Sequence, residues 1–457
     1  MNKVHFIAIG GAVMHNLALA LHHKGYAVSG SDDEFFEPSR SRLAATGLLP
    51  SSTGWHPEKI TPDLDAVILG MHASADNPEL IRAQQLGLKI YSFPDYLYEQ
   101  TAHEKRIVVA GSHGKTTTTA MIMYVLRHCR VDFDYMVGAQ VEGFDTMVRL
   151  SNTAKVAVFE GDEYLTSPTD RTSKFLHYHP DVAIITGIAW DHVNVFPTFD
   201  SYVDTFRHLV SSIQPSGTLI YYSPDDNLSS IASEKHSNAL QTIPYAGFPW
   251  HLDDNGSVVA NIDGQDVSLS VFGQHNMQNM QAAMYACQQV GITPAMFASA
   301  ISTFSGAARR LQLLASSPSV CVYLDFAHSP SKLRATVQAV RSRYPNQHLI
   351  ACMELHTFSS LTRDFLPQYA GAMQGADTPI VYFNPSVVKQ KKLAEFSATD
   401  VYNAFAQENL TVLTSPSQVE QTLRSADRHN SVILLMTSGD FGGLDLNSLA
   451  LSLANEL

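Results

Sequence analysis

The chain has 457 residues, 45% of them hydrophobic and 16% charged, with a formal net charge of −13. One hydrophobic core cannot serve that length, so about two to four domains are expected. The acidic balance disfavours a nucleic-acid partner, and the lack of any run of about eighteen apolar residues disfavours a membrane partner. The cysteines, Cys129, Cys287, Cys321 and Cys352, are scattered without a C-x-x-C pair. The N-terminus lacks a basic, cleavable leader, so a reduced, cytoplasmic protein is the expectation.

Residues 1–102 alternate strand and helix patterns. "VHFIAIGG" is an apolar run closed by Gly10 and Gly11, and "AVMHNLALALHHKG" has helical spacing and a terminal glycine. "YAVSGSD" is a second strand ending in acid, "DAVILGMHA" a third, and "ELIRAQQLGLKIYS" a helix returning to a strand. Strands alternating with helices imply a parallel, Rossmann-like sheet. The glycine pair does not make G-x-G-x-x-G, because Ala8 and Val13 stand at its first and last glycine positions. That weakens a nicotinamide reading and leaves a diphosphate site on a helix N-terminus.

Residues 103–304 open on "RIVVAGSHGKTTTTAMIMYVL": a strand run, then Gly111-Ser-His113-Gly114-Lys115-Thr116-Thr117, then a helix run. Glycines let backbone N–H groups converge on an anion, and the helix start adds its partial positive charge. Lys115 can reach terminal phosphates and the Thr116 hydroxyl can coordinate Mg2+. A glycine turn with an incidental lysine is the alternative. "AKVAVFE" ends in Glu160-Gly-Asp162-Glu163, and "DVAIITGI" leads to Asp191 and His192. Acid at the carboxyl edge of a parallel sheet lies beside such a loop, so Glu160 and His192 are candidates to face a phosphate-held metal. The alternative is solvated loop acid. "FDSYVDTFRHLVSSI" is an amphipathic helix, Thr218–Tyr222 a strand, and 246–272 a small antiparallel patch. In "GQHNMQNMQAAMYACQQVG", His275, Asn276 and Asn279 cluster at a helix start, where amides can read a base edge or Asn276 can simply cap the helix.

Residues 305–457 restart the alternation after "STFSGAARR", with strands in "SVCVYLDFAH", "HLIACMEL", "TPIVYFN" and "SVILLMTSGD". Arg309 and Arg310 could clamp phosphate on domain closure or form surface ion pairs, and Asp325 and His328 close a strand.

Taken together, these motifs resemble the Mur ligase family of ATP-dependent amide-forming enzymes, over essentially the whole chain. The matches are Gly111–Thr117, Glu160–Glu163, Asp191-His192, His275–Asn279, Arg309–Gln312 and Asp325–Pro330, in order. The resemblance implies an α/β chain of three domains: a Rossmann-like UDP-sugar-binding domain (1–102), a P-loop ATPase domain with a parallel sheet (103–304), and a Rossmann-like ligase domain (305–457). It implies ATP and Mg2+. Gly111, His113, Gly114, Lys115, Thr116 and Thr117 would hold phosphate. Thr116, Glu160 and His192 would hold metal, and Lys115, Glu160 and His192 would carry the chemistry. His275, Asn276, Asn279, Arg310 and Asp325 would bind the nucleotide. Gly10, Gly11, Ser31, Asp32 and His328 would serve the other substrate.

"EGDEYLTSPTDRTSKFLHYHP" (160–180) and "TSGDFGG" resemble the branch that recycles murein peptides onto UDP-N-acetylmuramate. The branch that adds L-alanine is the near alternative, and a P-loop regulatory ATPase a remote one. A monomer or weak homodimer is expected. Two departures stand out. Gly187 replaces a usual Asn in Thr186-Gly187-Ile-Ala-Trp-Asp191-His192, and Glu354-Leu-His356-Thr-Phe-Ser lacks an arginine suited to a substrate carboxylate.

Overall fold

The computed structural model describes residues 2–71, 73–167, 170–190, 195–236, 239–254 and 256–455. The chain forms two compact units, one of residues 1–248 and 278–301 and the other of 249–277 and 302–457.

Among the described residues the first unit carries two sheets. The smaller takes Ala27–Ser31, Lys3–Ile7, Ala66–Leu69 and Ile90–Ser92 in that order, all parallel. Parallel strands are covered on both faces, so they read as continuous apolar runs rather than alternations; Val4, Phe6 and Ile7 are accordingly fully buried. The helix Ala12–His23 follows the first strand, buries Leu17, Ala18 and Leu21, and has Gly11 at its N-cap.

The larger sheet runs Gln241–Tyr245, Thr218–Tyr222, Val182–Ile185, Lys105–Ala110, Val156–Glu160, Phe133–Met136 and Val148–Arg149. Only Val148–Arg149 is antiparallel to its neighbour. Lys105–Ala110 therefore lies between Val156–Glu160 and Val182–Ile185. The register sets Val109 opposite Glu160 and Ala110 opposite Ile185. Whatever follows Ala110 emerges between the carboxyl ends of two neighbouring strands, the place where open parallel sheets bind ligands.

The second unit holds a three-stranded antiparallel sheet, Trp250–Leu252, Val258–Ile262 and Gln265–Leu269, where the sequence predicts a small antiparallel patch. Its main sheet runs Gln312–Ser316, Val320–Asp325, Ser431–Met436, His348–Leu355, Thr378–Phe383 and Thr411–Leu413. All are parallel except the antiparallel edge strand Gln312–Ser316. The sequence reading finds the four apolar inner strands and misses both edges. Edge strands are short and half solvated, as the 49% exposure of Leu313 shows, so they lack the apolar run. No helix among the described residues is long and apolar enough to cross a membrane.

Candidate active site

The loop after Ala110 is built by backbone angles that glycine alone takes readily. Gly111 has φ +119° and Gly114 φ +76°, and Gly114 is the N-cap of the helix Lys115–His128. There is no room for a side chain at either. A Cβ at Gly111 would stand 2.7 Å from Thr186 N, and one at Gly114 3.0 Å from Asn279 Cγ. The loop is pinned from the next strand end: Ser112 N–H donates to Gly187 O (2.9 Å), and the Thr186 hydroxyl donates to His113 O. Gly187 has φ +137°, within the glycine-favoured range. It holds the loop through its carbonyl, a main-chain contact. Ile188 N–H is held in turn by Asp225 Oδ2 at 2.6 Å.

The strand register brings Glu160 onto the first turn of this helix. The Thr116 hydroxyl donates to Glu160 Oε1 (2.7 Å), and Gly138 N–H donates to Glu160 Oε2 (2.8 Å). A hydroxyl and a carboxylate oxygen side by side suit Mg2+, which takes oxygen ligands and keeps its remaining positions for phosphate and water. The residues present therefore fit that ion. Among the described residues no larger His, Cys, Asp or Glu cluster suited to a metal is found. His192 and Asp191, the other acid–base pair expected here, lie outside the described residues.

Lys115 Nζ donates to Gly111 O and to Glu163 Oε2, each at 2.7 Å. Burial works against its charge, but Glu163, Asp162 and Glu160 outweigh burial and hold its pKa above the ordinary lysine value. The Glu163 side chain is 1% exposed. Tyr202, fully buried on the helix Phe199–Ser212, donates to Glu163 Oε1 at 3.3 Å and lies 2.9 Å from Ser112 Oγ. Thr117 is buried behind the loop. Sequence reasoning left Glu163, Tyr202, Ser112 and Asp225 out of the site. Glu163 is in the acidic motif, whereas Tyr202 reads only as one more residue on an apolar helix face.

In the same unit, Gly10 and Gly11 follow the first strand beside Asp32. Gly10 N–H donates to Asp32 Oδ2 (2.7 Å) and Asp33 N–H to Asp32 Oδ1 (2.9 Å). A Cβ at Gly10 would meet that carboxylate at 2.9 Å. Burial pushes the Asp32 carboxyl up to about 6, against the Gly10 N–H bond. Ser31 is fully buried and shapes this turn through its carbonyl, which accepts from Ala8 and Ile9 N–H.

In the second unit, His275 and Asn276 begin the helix Gln274–Gln288. Asn276 does not cap the helix by accepting a bond; its amide donates back to Phe272 O (2.8 Å). Burial holds the His275 imidazole below its ordinary pKa, against the pull of Asp325. Asp325 accepts from Leu311 N–H and Ala327 N–H (2.8 Å each) and from the Thr336 hydroxyl (3.1 Å). Arg310 lies over the Phe326 ring (4.6 Å), and His328 donates from Nδ1 to Phe326 O (2.9 Å). At the neighbouring strand ends, buried Glu354 accepts from the Thr437 hydroxyl and Phe441 N–H, with His356 Nδ1 at 3.5 Å.

Three family models match the chain. Residues 3–105 match the model described as Mur ligase family, catalytic domain; residues 109–287 match the Mur ligase middle domain; residues 309–439 match the Mur ligase, glutamate ligase domain. The chain is similar to the UDP-N-acetylmuramate--L-alanine ligase of Paenarthrobacter aurescens (strain TC1), 30% identical over 83% of each chain. It is also similar to the UDP-N-acetylmuramate--L-alanyl-gamma-D-glutamyl-meso-2,6-diaminoheptandioate ligase of Escherichia coli (strain K12), 28% identical over 97% of this chain and 96% of that one. The fold is that of a murein peptide ligase from Psychrobacter arcticus 273-4, with a TM-score of 0.64, 23% identity and full coverage of both chains.

Proposed function

The chain belongs to the Mur ligase family of ATP-dependent ligases that form C–N bonds, and from that premise we propose that it joins UDP-N-acetylmuramate to the free amine of L-Ala-γ-D-Glu-meso-diaminopimelate. A carboxylate is a poor electrophile because its charge repels the amine and oxide is a bad leaving group. Transfer of the terminal phosphoryl group of ATP to the lactyl carboxylate gives an acyl phosphate. The amine attacks it, a tetrahedral intermediate forms, and phosphate leaves.

On this reading the residues divide the work as follows. Lys115 and the N–H groups of the Gly111–Lys115 loop bind and orient the phosphates. Thr116 and Glu160 would hold Mg2+, which when bound neutralises charge on the transferred group. The Gly10–Asp32 turn takes the UDP-sugar, with Asp32 accepting from a ribose hydroxyl. His275, Asn276, Asn279, Arg310 and Asp325 are read as nucleotide residues and His328 as a substrate residue.

The observation that supports a peptide as the amine is the 160–180 segment. It carries the sequence that resembles the recycling branch and folds back on the acidic strand end: Lys174 Nζ donates to Asp162 Oδ2 (2.8 Å) and Lys174 N–H to Tyr164 O (2.9 Å). L-alanine as the amine is the second reading, favoured by the 30% identity to the P. aurescens alanine ligase. Phosphate release from ATP and Mg2+ with UDP-N-acetylmuramate distinguishes them. The tripeptide driving release, with L-alanine inert, is the expected result; the reverse preference makes the enzyme an alanine ligase.

A further inference from the structure

An ammonium has three N–H bonds. Two of those on Lys115 are committed, to Gly111 O and to Glu163 Oε2, both at 2.7 Å. Glu163 is itself fixed: it is buried, and its second oxygen accepts from Tyr202 at 3.3 Å. Tyr202 is locked by its ring, packed edge-on against Phe196 (5.0 Å) and Phe206 (5.2 Å).

A phenol has one proton to give, and ionised Glu163 can only accept. Tyr202 Oη must then accept from Ser112 Oγ at 2.9 Å, and Ser112 Oγ accepts from Ala189 N–H at 2.8 Å. The direction of every bond is thereby set: Ala189 N–H to Ser112, Ser112 to Tyr202, Tyr202 to Glu163, with Lys115 donating to Glu163 from the other side. Four separate segments converge on one lysine. They are the phosphate loop, the acidic strand end, the helix Phe199–Ser212 and the turn that leads to residue 191.

We propose that Glu163 and Tyr202 are positioning residues that aim the third N–H of Lys115 at the terminal phosphate of ATP, a role that rests on the nucleotide reading above. ADP lacks that phosphate, so its affinity depends less on the aim of the third N–H than that of ATP does.

Calorimetric titration of the full chain with Mg2+ and either ADP or a non-hydrolysable ATP analogue tests this. Tyr202→Phe and Glu163→Gln are expected to lower the preference for the analogue over ADP by about three- to tenfold, the effect of one hydrogen bond. ADP affinity should stay within about twofold, because the lost bond acts only on the terminal phosphate. In a Lys115→Met background, Tyr202→Phe should have no further effect on the preference. An unchanged preference in both folded variants overturns the proposal. So does a parallel loss of ADP binding, or an effect that persists undiminished without Lys115, since each marks a merely structural role. If Tyr202→Phe does not fold, Glu163→Gln decides alone. Failure of the unaltered chain to bind either nucleotide removes the nucleotide reading itself and this proposal with it.

Discussion

His177 Nδ1 and Asp95 Oδ1 stand 2.7 Å apart, tying the 160–180 segment to the helix Phe93–Thr101. The other ring nitrogen lies 2.8 Å from the Thr172 hydroxyl and 3.3 Å from Asp170. Burial works to lower the His177 pKa, but Asp95 and then Asp170 outweigh it and raise the value above the ordinary one. Asp95 is held below the usual carboxylate range, its His177 and Ser92 bonds outweighing burial.

The sign of the pH dependence follows from linkage. A histidine raised in the fold contributes stability that is complete below its unfolded pKa and lost as pH rises through the folded one. An aspartate lowered in the fold contributes above its unfolded pKa and loses that as pH falls through the folded one. The pair therefore acts fully between about pH 4 and pH 6.5. His177→Gln should lower the melting temperature most near about pH 5.5 and progressively less as pH rises above about 6.5. Melting curves of both proteins from acid to alkaline pH check this. A gap flat in pH would show that the bond is not ionic.

Glu160 joins the helix start to the Gly138 turn, and its charge is the one closest to the Thr116 hydroxyl. Glu160→Gln should keep the fold, lower turnover by about a hundredfold or more, and raise the Mg2+ concentration needed for half-maximal rate. Lys115→Ala should cost at least as much at saturating Mg2+. Phosphate release measured across a Mg2+ titration separates the two: added Mg2+ recovers part of the loss in Glu160→Gln and none in Lys115→Ala.

Gly114→Ala combines a φ of +76° with a collision against the Asn279 amide. Strain of this kind costs about 1–3 kcal/mol. Denaturant unfolding should show a lower midpoint with an unchanged slope, and ADP affinity should fall at the same time. Loss of stability with unaltered ADP affinity would place the nucleotide elsewhere.

Asp32 offers a contrast between stability and binding. Its carboxyl is raised to about 6 by burial, so the fold prefers it neutral, and the stability this gives is lost as pH rises through that value. Asp32→Asn should leave the melting temperature equal or higher at about pH 8. If ionised Asp32 accepts from the sugar nucleotide, the KM for UDP-N-acetylmuramate should climb as pH falls below about 6 in the unaltered enzyme, and in Asp32→Asn it should be raised above about pH 6 and lose that pH dependence. A KM insensitive to both removes Asp32 from that site.

The sequence by itself determined the local pieces. The strand run before Gly111, the two glycines and the helix after Lys115 are fixed by backbone sterics and short-range hydrogen bonds, so the loop is legible without a partner. The inner strands are legible for the same reason, as apolar runs covered on both faces. The ordered set of motifs carried the family as well. What only the tertiary structure decided is which residues meet. Glu160 reaches Thr116 because Val156–Glu160 pairs beside Lys105–Ala110, and sheet order is not written in either strand. Tyr202 looks like a core residue in its helix, because a phenol's role depends on what lies opposite its hydroxyl, here Ser112 and Glu163, which come from elsewhere in the chain. Gly187 reads as the loss of an amide, and only the structure shows its carbonyl accepting from Ser112 N–H. The short edge strands Gln312–Ser316 and Thr411–Leu413 carry too little apolar pattern to declare themselves, since half of each faces water and their pairing is set by the neighbour.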